Sequence, residues 1–296
     1  PDQDHLGGFC RIFYCGDPAD FDNRGGDVGD LIINELWVSP HSVNPNYETD
    51  ASKPVFAEMR RRLALSGTTQ ANTDGNRIRI LDTENNSDLL IGASIQATTV
   101  APTADEADIE KAVAGAPRNS TNNSSLVIRW LFTVDGGTCS ALLGGDAEMP
   151  VWERLYHQYG VDPLRRHILL APHHCSMTAF GEKDVNGEYV VSPYANAILS
   201  SFDGAGFVVA SSKEVLDDDN NPPHWEARRR YLEILNGQGG GDAETRFLNP
   251  ETHSGGTPAP VVFELTGAGP SLKIVDKSSG PAIIAGSALG KPSRYG

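Results

Sequence analysis

Apolar runs bounded by turn residues recur along most of the chain, and their periods set the expected elements. Segment 31–38 (LIINELWV) predicts a strand. Segment 54–65 (PVFAEMRRRLAL) predicts a helix, with Pro54 in the first turn, where a missing N–H is harmless, and Gly67 past the end. Segment 77–81 (RIRIL) alternates as a strand does, 94–100 is a further strand, and 105–114 a short acidic helix. Segments 125–134 (SLVIRWLFTV) and 138–143 (TCSALL) predict paired strands. Asp135-Gly136-Gly137 joins them, and Asp-Gly between two apolar runs favours a tight hairpin. Helices are then expected at 148–159, 194–202 and 223–235, interleaved with strands at 167–171 (HILLA) and 206–210 (GFVVA). Strands at 246–248, 261–265 and 272–275 follow. Strands and helices alternating around a hairpin fit a mixed α/β layered fold better than a sandwich or a bundle. Segments 17–30, 116–124 and 237–260 read as loops, and 277–296 as an extended Gly-, Pro- and Ser-rich tail.

Charge narrows the partners. The 296 residues carry 24 Lys plus Arg against 39 Asp plus Glu, a net −15. That excess argues against a general grip on nucleic acid, which rests on Lys and Arg, but leaves a local basic groove open. Arg60-Arg61-Arg62, Arg165-Arg166 and Arg228-Arg229-Arg230 are the candidate clusters, each also readable as a solvated or salt-bridged helix face. No apolar run is long enough to span a membrane, and no signal peptide is visible at the N-terminus. Four cysteines (Cys10, Cys15, Cys139 and Cys175) are too few for a disulfide scaffold, so free buried thiols and a cytoplasmic location are expected.

Residues with ligand capacity gather in four clusters, most of them at the expected ends of strands. These are Asp2-x-Asp4-His5-x-Gly7-Gly8, then Gly144-Gly145-Asp146-Ala147-Glu148, then Pro172-His173-His174-Cys175-Ser176, and last Pro223-His224-Trp225. Each has a plainer reading. Asp2 and Asp4 suit turns or caps, Asp146 a helix cap, His224 a helix start, and the His pair one core and one exposed histidine. Carboxylates and imidazoles at the carboxyl ends of several strands can, however, converge on one site. Asp, His and a bridging carboxylate are also the ligand set of a hydrolytic two-metal centre.

The order and wording of these clusters resemble the metallo-β-lactamase fold, in the branch related to the hydrolase domain of ComEC-type DNA-uptake (competence) proteins. That branch opens with His-x-Asp-x-Asp-His-x-Gly-Gly, matched from Asp2 to Gly8 except for the first His, which would lie one residue before Pro1. Asn123 to Val127 match its Asn-x-Ser-Leu-Val strand, and Leu142 to Glu148 its Leu-Leu-x-Gly-Asp-x-Glu segment. Pro172 to Ser176 match Pro-His-His-Gly-Ser with Cys175 in place of Gly, and Pro223-His224 close the pattern. The likeness covers a hydrolase domain at 1–276. It implies a four-layer αββα sandwich with mixed sheets, whose opening strands lie upstream of Pro1. Cys175 for Gly removes a residue tolerant of positive φ, or offers an extra soft ligand.

What the resemblance implies is a metal-dependent hydrolase holding two divalent ions, Zn2+ or alternatively Mn2+. Asp2, Asp4, His5, Asp146, His173 and His224 are the implied ligands, and Asp4, Asp146 and His174 the implied catalytic groups. Such a centre activates a bound water near neutral pH for attack on phosphorus or a carbonyl. Ser176, Trp225 and Arg165 are the candidate substrate contacts. The implied substrate is nucleic acid or a nucleotide, which makes the chain a phosphodiesterase or nuclease, with other subunits or an upstream part of the same protein as further partners. The alternatives are a small-molecule hydrolase acting on a lactone, thioester or cyclic nucleotide, and a degenerate metallo-fold that binds partners without catalysis.

Overall fold

The computed structural model describes residues 6, 8–21, 31–44, 48–85, 87–107, 122–218, 221–254 and 258–273. Its centre is a seven-stranded mixed sheet. Strands β3 (Asp88–Ile91), β4 (Ile95–Ala101), β5 (Val127–Val134) and β6 (Gly137–Leu143) form an antiparallel meander. Strands β7 (Arg166–Leu170), β10 (Phe202–Val209) and β11 (Phe247–Leu248) then add in parallel to β6. The β5–β6 turn is the expected hairpin, with Asp135 at φ 49° and Gly136 at φ 76°, the two positive φ values that a type I′ turn needs.

Parallel neighbours require crossovers, and here each is a helix. These are α2 (Met149–Tyr159), α3 (Pro193–Leu199) and α4 (Trp225–Gly237). All three pack on one face of the sheet. Trp152 and Leu155 of α2, Ile198 of α3 and Tyr231 of α4 join Leu142, Leu169 and Val208 of the strands in the main core. Those three strand residues are register partners, so one row of side chains across the sheet meets the helices. Burial on this scale, at roughly 1.5–3 kcal/mol for each large apolar side chain, dominates the stability of the layer.

A second layer covers the opposite face. Strands β1 (Glu35–Val38) and β2 (Arg77–Ile80) pair in parallel, with helix α1 (Lys53–Ala64) against them. Successive strand residues point to opposite faces. Leu36 accordingly meets Val55, Phe56 and Met59 of α1, whereas its neighbour Trp37 stacks on Trp130 of β5, ring centroids 5.6 Å apart. The order of layers is therefore helices, large sheet, small sheet, helix. The hairpin of β12 (Val262–Thr266) and β13 (Gly269–Lys273) also packs on the large sheet, with Phe263 edge-on to Phe207 at 5.1 Å.

Several elements differ from expectation. The strand expected over 31–38 is regular only from Glu35, with Leu31 held by a single bridge to Phe13. The acidic helix is observed over Ala104–Ala107, and the rest of that segment lies outside the described residues. Strand β3 and the hairpin of β8 (Gly181–Lys183) and β9 (Tyr189–Val191) are additional. The expected free thiols are corrected at two positions, because Cys10 and Cys15 form a disulfide. The helical turn Phe9–Ile12 folds the chain back until the two Cα atoms are 5.8 Å apart, within disulfide reach. Disulfides persist in oxidising compartments, so cysteine usage does not support a cytoplasmic location. No helix among the described residues is long and apolar enough to cross a membrane.

Candidate functional site

Strands β6, β7 and β10 are parallel, so their carboxyl ends open on one edge of the sheet. The loop after β6 carries Asp146 and Glu148, the turn after β7 carries His173 and His174, and the loop after β10 carries Ser211. Backbone bonds tie the three together. His173 N donates to Gly145 O at 2.9 Å, and Ala171 N to Val209 O at 2.8 Å. Gly144 lets the first two loops touch: a Cβ there would stand 2.8 Å from Pro172 Cγ and 3.0 Å from the Trp152 ring. Trp152, fully buried, donates its Nε1–H to Ala147 O at 2.9 Å and so fixes the Asp146 loop to α2.

The turn after β7 is left-handed. His173 (φ 48°, ψ 50°), His174 (φ 52°, ψ 38°) and Cys175 (φ 69°) all have positive φ, and none of them is glycine. Left-handed backbone costs about 1–2 kcal/mol per non-glycine residue, and such strain concentrates at functional sites. Cys175 thus stands where positive φ is required. Its side chain is fully buried in the core, and burial pushes its thiol up to about 12.

His174 Nδ1 lies 2.7 Å from Ser211 O and must donate to it, which in the neutral ring leaves the lone pair on Nε2. That Nε2 stands 3.7 Å from Asp146 Oδ1. His173 Nδ1 lies 3.0 Å from Thr178 Oγ1 and 3.4 Å from Glu148 Oε1. Glu148 in turn accepts from Asn122 Nδ2 at 3.2 Å. Asp146 and Glu148 are both buried. It is His174, rather than His173, that faces Asp146.

The other expected site residues that are described take other partners. Asp2, Asp4 and His5 lie outside the described residues. His224 caps α4, its Nδ1 accepting from Glu226 N at 3.3 Å, and its backbone N–H bonds Cys175 O at 2.9 Å, which ties the start of α4 to the histidine turn. Its ring packs edge-on against Tyr189 at 5.5 Å, and burial lowers its pKa. Ser176 is fully buried, with Oγ donating to Asn221 Oδ1 at 2.6 Å and accepting from Thr178 N, so it holds the turn and offers no surface to a substrate. Trp225 packs against the core, with the Arg228 guanidinium 5.0 Å from its ring. Arg165 precedes β7, at the end opposite the histidines, and donates to Asp203 Oδ1 at 2.7 Å. Among the described residues, no three His, Cys, Asp or Glu side chains group closely enough to hold a metal ion.

Two further polar residues also border the site. His41 and Ser124 are buried and hydrogen-bonded to each other through Nδ1 and Oγ. With Asp146 they line a cavity of about 290 Å³ bordered by β1, α1 and the segments before β5 and after β6. His41 sits in the turn Pro40–Val43, where nothing in the local sequence distinguishes it from a surface histidine.

No family model, no curated protein and no solved structure matches this chain.

Proposed function

We propose that the protein is a metal-dependent hydrolase of metallo-β-lactamase type, with its centre at the carboxyl ends of β6 and β7. The observation that carries this reading is the pair His174 and Asp146. The ring is anchored through Nδ1 to a backbone carbonyl and presents Nε2 to a buried carboxylate oxygen 3.7 Å away. Metal-binding histidines are commonly oriented in this way by a bond from the other ring nitrogen. Two ligand atoms on one tetrahedral zinc ion sit about 3.4 Å apart, given Zn–N and Zn–O bonds near 2.1 Å. The donor pair therefore fits a borderline cation, with His174 and Asp146 as two of its ligands. When bound, the ion supplies an activated water. The chain's own residues hold that position rigid. Trp152 pins the carboxylate loop, Ser211 sets the tautomer of His174, and the left-handed turn aims both rings. The layer order supports the same reading, as do the motifs from Asp2 to Gly8, which add three candidate ligands.

For the substrate, the charge arrangement favours a small molecule over a polynucleotide. Arg61 and Arg62 both pair with Glu58, at 2.7 and 2.6 Å, and Arg60 with Glu48 at 2.5 Å. Arg165 pairs with Asp203 at 2.7 Å, Arg166 is fully buried, and Arg228 pairs with Glu244. Arginines neutralised within the protein contribute little to a phosphate-tracking groove.

The test loads the protein with Zn2+ or Mn2+ and offers nitrophenyl esters, lactones, bis-nitrophenyl phosphate, a cyclic nucleotide, single-stranded DNA, RNA and plasmid. Metal-dependent turnover lost in Asp146→Asn supports the hydrolase. Cleavage of a polymer in preference to the esters would restore the nuclease alternative, and no turnover of any compound would sink the proposal.

A further inference from the structure

The cavity beside β1 and α1 has a composition the hydrolase reading does not explain. Its walls include Leu36 and Trp37 of β1, Val55 and Met59 of α1, and Leu126 ahead of β5. Asp146 and Gly145 of the metal-loop segment lie in the same wall. The volume of about 290 Å³ lies just below the ~300–1,000 Å³ usual for small-molecule sites. One Trp37 face is covered by Trp130, and the residue still lines the cavity. Among the described lining residues Asp146 is the only charged one, and no Lys or Arg is present. The remaining polar groups, His41 and Ser124 among them, are neutral hydrogen-bonding groups.

We propose that this cavity is an acyl-chain subsite, and that the substrate is an ester or lactone with a medium-length apolar acyl chain. The proposal rests on the hydrolase reading above and names its substrate class. The chain lies against Leu36, Trp37, Val55 and Met59, and the carbonyl is presented at Asp146, where the two loops meet. Apolar walls select chain length, because each buried methylene contributes about 0.8 kcal/mol, a factor of about four in affinity.

The experiment is calorimetric titration of the whole protein, in chelator, with acetamide, butanamide, hexanamide and octanamide, which bind without being hydrolysed. Affinity is expected to rise about fourfold per methylene as far as the cavity allows. Val55→Phe, which fills the cavity, and Met59→Gln, which makes its wall polar, are each expected to flatten that rise. Circular dichroism and thermal unfolding establish that each variant is folded. If Val55→Phe fails to fold, Met59→Gln decides the matter. No dependence on chain length in the unsubstituted protein would overturn the subsite, and would mean that other parts of the chain close the space. Amide binding without metal-dependent ester hydrolysis would leave the apolar subsite standing and overturn the hydrolase. Hydrolysis of nitrophenyl acetate with no preference for nitrophenyl hexanoate would do the reverse.

Discussion

His174 Nε2 stands 3.7 Å from Asp146 Oδ1, while the other nitrogen of the same ring is held 2.7 Å from the Ser211 carbonyl. On the proposed metal reading, the ion lies between Nε2 and that carboxylate oxygen. Asp146→Asn and His174→Ala are each expected to lower zinc affinity and turnover about 100-fold or more, since even residues that only orient metal ligands are worth 10–100-fold. Chelator should do the same to the unsubstituted protein, with recovery on adding Zn2+ or Mn2+. Elemental analysis and ester hydrolysis measure both effects. Equal metal content in Asp146→Asn and the parent would remove Asp146 from the ligand set.

The close approach of the two loops makes a separate demand at Gly144. A methyl group there would stand 2.8 Å from Pro172 Cγ and 3.0 Å from the Trp152 ring, both in the tightly packed core. Gly144→Ala is therefore expected to destabilise the protein by about 1–3 kcal/mol, the usual cost of overpacking. It should also lower turnover by separating Asp146 from His174. Gly237→Ala, at the end of α4 with open space around it, is the matched control and should leave stability unchanged or slightly raised. Guanidinium unfolding of the pair checks the difference. A Gly144→Ala protein as stable as the control would show that the loops can part without cost.

How much of this was readable beforehand depended on the range of the interactions involved. The β5–β6 hairpin was legible because Asp135-Gly136 encodes its own turn. The ends of β6 and β7 were legible because short apolar runs stop abruptly at ligand-bearing residues. The edge strand β3 was not, since Leu90 and Ile91 are exposed and its preceding residues are polar, so no buried face imposes a period. Ser176 looked like a substrate contact, and only the fold shows its hydroxyl turned inward to Asn221. His41 and Ser124 are 83 positions apart and meet only through the stacking of the two sheets. The positive φ of Cys175 was visible only as a departure from glycine, whereas the two left-handed histidines before it carry no local signal.

The cysteines divide into two kinds, and their chemistry should show it. Cys10 and Cys15 are bonded to each other, while Cys139 and Cys175 are free and buried. Burial raises the pKa of both free thiols, that of Cys175 to about 12, so neither is a thiolate at neutral pH. Thiolate is the reactive form. The native protein is expected to show no rapid reaction with a disulfide reagent such as Ellman's. Denaturant alone should expose two thiols, and denaturant after reduction all four. Four thiols in unreduced denatured protein would contradict the disulfide.

The sheet interior holds one histidine whose charge state should affect stability, well away from the candidate centre. Ser140 N donates to His167 Nδ1 at 3.2 Å, so this nitrogen is unprotonated in the fold. Partial burial lowers the His167 pKa, and the Asp203 carboxylate opposes this more weakly. The unfolded chain, with an ordinary histidine pKa near 6.5, therefore binds a proton before the folded one does. Stability rises with pH wherever the unfolded state binds more protons. The His167 contribution is thus fully present above about pH 6.5. It is lost as pH falls from there to the lower folded value, below which no further loss follows from this group. His167→Gln keeps an acceptor for Ser140 N and cannot titrate. Guanidinium unfolding at pH 7.5 and pH 5.5 should show a larger loss in the parent than in His167→Gln, with the difference confined to that interval. Parallel stability curves for the two proteins would mean that His167 accepts its proton in the fold as readily as in the open chain, by giving up the Ser140 bond.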